Sequence, residues 1–346
     1  MHKLASFVFV STYATQVHRD RIGEVVDSMV PHLEEAIRRK GISDLRWIMD
    51  SCRPYAHVAP NTYTFTKNIA EVLVKVVSEQ EGFHAVIIRP PAVGAPSRDP
   101  EPGFVDDPRQ GLVSFVLSIY LGIIVMFEHH GDMKFVYNTV DVIVNAILVS
   151  ACDLAKDREC RFRVLNVCQP GETFNQLIEK IVKSGQQYPS LSTVRPLHVF
   201  RCAESGPITR IRKLVHHYLF ALLLDTILLL TGRKALLVLM THAMVMSSLQ
   251  QLFFVVFSLS MYSSISKLEN MLVMFRKVLL MADCEVEVRQ FQEMQSRLSS
   301  EDRDCFFLES EGLSQQYMDR CCLSFRKHIL KEEDGTLEPA RQRLRR

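Results

Sequence analysis

Paired cysteines are missing from this sequence. It has nine, an odd number with no C-x-x-C pair, so neither a disulfide framework nor a zinc or other metal site is expected, and the thiols read as reduced and buried in a cytosolic setting. A charge imbalance is missing too. The formal net charge is +2, which argues against a nucleic-acid partner, and the densest basic group, Arg341, Arg343, Arg345 and Arg346, reads as a solvated tail. Glycine is thinly spread, 14 residues in 346, and none of it forms a glycine-rich strand-to-helix turn. That turn is the device by which backbone N–H groups and a helix N-terminus hold a pyrophosphate; Gly82, Gly94, Gly103, Gly111, Gly122 and Gly131 stand too far apart to make one.

Charge disappears altogether from Ala235 to Ser266, 32 residues between Arg233-Lys234 and Lys267. Tyr218 to Leu230 is also apolar apart from Asp225. About twenty apolar residues suffice to cross a hydrocarbon core, so membrane insertion is one reading of 218–266. His242, Gln250, Gln251 and seven serines dilute the run, each costing free energy in lipid unless paired; a buried or interfacial helical hairpin is the other.

What is present is organised around Pro60-Asn61-Thr62-Tyr63-Thr64-Phe65-Thr66-Lys67. Tyrosine and lysine four apart on a helix share a face. A unit charge about 4 Å from a phenol is worth roughly 4 kcal/mol at an effective dielectric near 20, enough to bring a group that titrates near ~10 toward the working pH. Asn61 is a good N-cap. Ile69, Val72, Leu73, Val76 and Val77 make a one-sided apolar stripe, Glu71 and Lys75 read as an exposed i,i+4 pair, and Gly82 terminates the helix. Phe7-Val8-Phe9-Val10 and Ala85-Val86-Ile87-Ile88 read as strands buried on both faces of a parallel sheet. Strand, helix and strand then form a right-handed unit whose ligand end collects Ser11-Thr12, the start of the Tyr63 helix and Pro90-Pro91.

Elsewhere, Gly23 to Lys40 is expected to be helical and stopped by Gly41, and Arg46 to Pro60, with the lone Trp47, reads as a linking segment. Six prolines make Pro90 to Gly111 a loop. Leu112 to Phe127 is either a helix flanking a substrate site or core. Asp141 can cap a helix Val142 to Leu154, Val164-Leu165-Asn166-Val167 is a further strand, and Thr173 with Gln176 makes a capping box for a helix to Lys183. Cys321-Cys322 reads as packing on a helix.

The ordered set Phe9-Val10-Ser11-Thr12, Pro60 to Lys67, Ile88-Arg89-Pro90 with Pro102-Gly103-Phe104-Val105-Asp106, Val140 to Ala146, Leu229 to Lys234, and Leu298 to Phe306 running on to Arg326-Lys327 resembles the eukaryotic alcohol-forming fatty acyl-CoA reductases, extended members of the short-chain dehydrogenase/reductase superfamily. The part after Lys234 departs from that pattern and returns near Leu298. The resemblance implies an α/β fold: an incomplete Rossmann-type doubly wound parallel sheet over 1–200, a mostly helical carboxy-terminal domain over 201–335 containing the apolar segment, and a basic tail over 336–346. It implies NADPH as cofactor, a long-chain acyl-CoA as substrate, membrane lipid as a partner, and a cytosol-facing peroxisomal or endoplasmic reticulum membrane as location.

Its site residues carry over as Tyr63 donating the proton, Lys67 lowering the phenol pKa and binding the nicotinamide ribose, Thr12 bonding the substrate oxygen, and Pro90, Pro91, Ala92 and Val93 touching the nicotinamide. By the family pattern the first half of the nucleotide-binding sheet, with its glycine-rich turn, is absent, so the chain is expected to be a fragment or truncated product that binds NADPH weakly. Two alternatives remain: another extended dehydrogenase acting on a sterol or nucleotide sugar, and a non-catalytic membrane-associated remnant.

Overall fold

The computed structural model describes residues 4–16, 18–42, 45–107, 111–128, 134, 136–157, 160–169, 171–195, 197, 200–202, 207–213, 215–216 and 285–345. The apolar segment 218–266 lies outside them. Among the described residues no helix is long and apolar enough to cross a membrane. The chain divides into two compact units, each assembled from separated stretches: Met1–Ala92, Val136–Pro170 and Lys277–Ser310 in one, Val93–Phe135, Gly171–Arg276 and Glu311–Arg346 in the other.

The first unit holds a parallel sheet in the order β1 (Phe7–Val10), β3 (Ala85–Arg89), β7 (Phe162–Asn166). Phe7 to Val10 pair with Ala85 to Ile88, and Ala85 to Arg89 pair with Phe162 to Asn166. The central strand β3 is buried at every residue, as an uninterrupted apolar run in a parallel sheet requires. The same expectation fails for β1, where Phe7 and Val10 are exposed: it has a ladder partner on one side only among the described strands. A short parallel pair, β2 (Arg21–Ile22) with β9 (Glu285–Val286), joins this unit.

Helix α3 (Thr62–Glu81) is built as its sequence dictates. The Asn61 side chain accepts from the Thr64 N–H, and Gly82 closes the helix at φ 69°, a conformation that favours glycine. Ile69, Val72 and Val76 pack with Leu33 and Ile37 of α1 (Leu33–Lys40) and Ile48 of α2 (Leu45–Cys52). The two helices correct the expectations for this region. Residues 23–32 are irregular rather than helical, because Pro31 interrupts and the carbonyls of Gly23, Val25 and Asp27 accept side-chain bonds instead of helical ones. The supposed link from Arg46 is mostly α2, with Trp47 packed against the cluster. Short β4 (Ala92–Gly94) and β6 (Tyr137–Thr139) precede α5 (Val140–Lys156), whose N-cap is Thr139; Asp141 lies inside the first turn, not at the cap.

In the second unit α4 (Gly111–Tyr120) is buried along its length and packs its Phe115 ring 5.5 Å from that of Phe174. It stops well before Phe127 because the chain turns at Gly122, φ 72°, where a Cβ would lie 2.7 Å from the Arg195 carbonyl oxygen. Then follow β5 (Met126–Glu128), α6 (Phe174–Gln187) behind its Thr173/Gln176 capping box, β8 (Phe200–Cys202), parallel to β5, and α7 (Pro207–Lys213). Helix Gln315–Ser324 carries Cys321 and Cys322, both buried, with the Cys321 thiol pushed up to about 12 by burial, as suits packing rather than chemistry.

The Glu24 carboxylate ties β7 to the helix Arg289–Ser296. It accepts from the backbone N–H groups of Asn166, Gln290 and Phe291, the last two in the first turn of that helix. Burial raises Glu24 to about 7 against those bonds, helped by nearby Glu287; Cys168 and Arg289 are the other ionisable groups that feel it. A carboxyl whose folded value exceeds its ordinary value of 4.5 stabilises the fold fully below 4.5 and loses that contribution as pH rises through about 7. Urea unfolding at pH 5 and pH 8 should therefore show a pH-dependent loss of at most about 3 kcal/mol that is absent in Glu24→Gln.

Candidate active site

Tyr63 and Lys67 project from the first turns of α3 toward the carboxyl end of β1. The Lys67 ammonium donates to the Val10 carbonyl oxygen at 2.8 Å and stands 5.0 Å from the Phe9 ring centroid and 6.0 Å from that of Tyr63. A cation between two aromatic faces is held by their quadrupoles as well as by the carbonyl. An ammonium has three donors, and the Val10 bond uses one of them. Tyr63 is 55% exposed. Its expected downward pKa shift does not occur: partial burial raises the phenol, and Lys67 is not among the causes, in keeping with contact over the ring face. The tyrosine stays protonated through the neutral range, a proton reservoir rather than a poised phenolate.

Thr12 follows the same strand end, two residues beyond the carbonyl that grips Lys67. Its hydroxyl accepts from the Ala14 N–H at 3.3 Å and its carbonyl accepts from the Thr15 hydroxyl at 3.0 Å, the local backbone bonding that short hydroxyl side chains favour. The side chain is buried. Pro90 and Pro91 are buried at the end of β3, where the Pro90 carbonyl accepts from Tyr13 N–H and the Ala92 N–H donates to Val136. Val93 belongs to the second unit. So the strand end, Tyr63, Lys67 and Thr12 come together in one unit, while the Pro90 to Ala92 backbone is engaged with the protein itself.

Beneath them lies a network that sequence reading missed. Glu71, one further helical step along the Tyr63 and Lys67 row, is fully buried and paired with equally buried Arg89. It does not pair with Lys75, which bonds Glu34. Arg89 donates to both Glu71 oxygens, at 2.9 and 2.5 Å, and to the carbonyls of Gly23 and Val25, both at 2.8 Å. The Ser11 hydroxyl donates to Glu71 at 2.5 Å, and the single Thr15 hydroxyl proton is shared between Glu71 at 3.1 Å and the Thr12 carbonyl. Asn68, also buried, donates to the carbonyls of Thr15 and Asp27 and accepts from Met29 N–H. Residues 11 and 15, on either side of Thr12, are thereby fixed to the helix that carries Tyr63. A carboxylate inside an apolar stripe and an arginine ending an apolar strand were the available signals.

Residues 1–147 match an NAD-binding family model described as male sterility protein. Over 99% of its length the chain is 27% identical to fatty acyl-CoA reductase 1 of Xenopus laevis, and over 100% it is 26% identical to fatty acyl-CoA reductase 2 of Mus musculus. Along nearly its whole length the chain is similar to fatty acyl-CoA reductases. It spans 62% of the length of each of these two relatives. Among solved structures, UDP-glucose 4-epimerase of Thermotoga maritima is 16% identical, with 60% of this chain and 54% of that one covered at a TM-score of 0.33, a likeness too slight to bear on function.

Removing one partner of a buried ion pair leaves the other uncompensated, at a cost of about 3–5 kcal/mol. Glu71→Ala should lose that much unfolding free energy in urea, and Glu71→Met combined with Arg89→Met should lose less than the two single changes added together.

Proposed function

We propose that the Tyr63–Lys67 site serves the reduction of a long-chain acyl-CoA to a primary alcohol with NADPH. The supporting observation is the Lys67 ammonium, tied to the strand end and held over Tyr63 with donors to spare. In this reaction the thioester takes up two hydrides and two protons and leaves as alcohol and free coenzyme A. NADPH supplies the hydrides. Tyr63 gives a proton to the carbonyl oxygen as negative charge develops there. Lys67 uses its remaining donors on the nicotinamide ribose and keeps a positive charge beside the developing oxyanion. Thr12 bonds the same oxygen once its hydroxyl proton, not committed by the bond from Ala14, turns outward.

Of the described residues, Tyr63, Lys67 and Thr12 would face the nicotinamide end of the cofactor. None provides the glycine-rich cradle for its pyrophosphate, and no step is assigned to that end. A cytosol-facing intracellular membrane is the setting that the apolar substrate and the charge-free run in the sequence favour. The reading as a non-catalytic remnant draws on a different observation, the Thr12 hydroxyl turned into its own backbone.

By itself the chain should give little heat with NADPH in isothermal titration, and a tight signal would overturn that expectation. Joined to a nucleotide-binding segment that supplies the cradle, it should convert palmitoyl-CoA to hexadecanol. There Tyr63→Phe should slow turnover by about 10²–10⁴-fold with NADPH binding nearly unchanged; equal turnover would remove Tyr63 from the chemistry, and activity on a sterol alone would remove the acyl substrate.

A further inference from the structure

Strand β1 has one edge without a ladder partner among the described strands. On its other side the N–H groups of Phe7 and Ser11 donate to the carbonyls of His84 and Ile88 at 2.8 and 2.7 Å. Peptide groups alternate between the two edges of a strand, so Phe9 also turns to β3, while Val8 and Val10 present both N–H and C=O to the open side. Edge strands are normally protected by charge, proline or a bulge. Phe7-Val8-Phe9-Val10 contains neither charge nor proline, and it pairs with β3 residue for residue, without a bulge. Phe7 and Val10, 38% and 40% exposed, leave apolar surface on both faces of the strand. Among the described residues the edge has one guard, the Lys67 ammonium, which donates to the Val10 carbonyl at 2.8 Å.

The outward groups of Val8 and Val10 complement themselves. Two copies of β1 laid antiparallel about a two-fold axis at Phe9 set Val8 against the partner's Val10 and Val10 against the partner's Val8, both as hydrogen-bonded pairs. Four N–H groups then meet four carbonyls, and none is left over. We propose that this edge is a contact between two copies of the chain, paired antiparallel through Val8 and Val10, and that Lys67 restrains it by competing for the Val10 carbonyl. Any extended segment offers peptide groups; a second β1 also matches the uncharged, apolar character of both faces. A two-fold pair uses up the edge in both copies, so it closes as a dimer instead of growing into a fibre. Four residues a side fall well short of the roughly 800 Å² per partner of a standard interface, so the dimer is weak and forms at high concentration. Pairing also bears on the site: once the Val10 carbonyl is taken up, the Lys67 ammonium keeps all three donors for a ligand. The dimer itself does not rest on the catalytic reading.

Sedimentation velocity across a concentration series should show the monomer passing into a dimer. As it does, the Val8 and Val10 amides should gain protection from hydrogen exchange, while the Phe9 amide, on the β3 side, is protected throughout. Lys67→Met removes the competing ammonium and should strengthen the dimer several-fold. Val8→Pro deletes an N–H that β3 does not use, at a position where edge strands tolerate proline, and should leave a monomer. Val10→Lys adds a charge to the edge without any demand on the backbone and should do the same. A chain that is monomeric at every concentration in both its native and its Lys67→Met form would overturn the proposal. So would a dimer whose Val8 and Val10 amides still exchange freely, or one that survives both edge variants, since the contact then lies elsewhere. A dimer no stronger in Lys67→Met than in the native chain would remove Lys67 as its restraint.

Discussion

A buried ion pair between α3 and β3 governs the first unit. Glu71 and Arg89 are both sealed from solvent, and taking two charges out of water costs several kcal/mol apiece unless geometry and further hydrogen bonds offset it. The offset is thorough: both carboxylate oxygens bind the guanidinium, one also receives the Ser11 and Thr15 hydroxyls, and Arg89 reaches two loop carbonyls besides. A pair with this many partners loses some of them if any neighbouring element shifts. It therefore fixes three things together: the helix bearing Tyr63 and Lys67, the strand end bearing Thr12, and the irregular segment 23–30 that packs beside them.

The working face is lightly built by comparison. Lys67 is held by one carbonyl and two aromatic faces, contacts worth little enough at an exposed site that the ammonium can redirect its donors when a ligand arrives. Rigid charges below and an adaptable charge above divide the labour: the lower layer sets where the groups stand, and the upper one remains free to respond. The raised phenol is compatible with the proton-donating role proposed for Tyr63, since a donor must first keep its proton.

Much of this was legible in the residues. The Asn61 cap, the Gly82 terminator, the Thr173/Gln176 box and the β1, β3 and β7 strands depend on local rules, and each stands where those rules put it. The failures share a cause. Glu71 looked like a surface partner of Lys75 because spacing alone cannot say which side of a helix meets a distant arginine. Residues 23–32 looked helical because their carbonyls' true partners, Arg89 and Asn68, lie more than forty positions away. The predicted effect of Lys67 on Tyr63 turned on orientation: sequence places the two on one face but does not say whether the cation meets the ring or the hydroxyl.

The clasp around Glu24 has a consequence for how the chain reaches this state. Its backbone partners at Gln290 and Phe291 lie 266 and 267 positions downstream, and β9 pairs with β2 across a similar gap. During synthesis at about 5–20 residues per second, Ile22 and the Glu24 carboxyl must wait many seconds, uncovered, for the segment that will seal them. The β1–β3–β7 sheet can form before this clasp closes, and until residues 285–291 emerge this edge stays open to solvent and to chaperones.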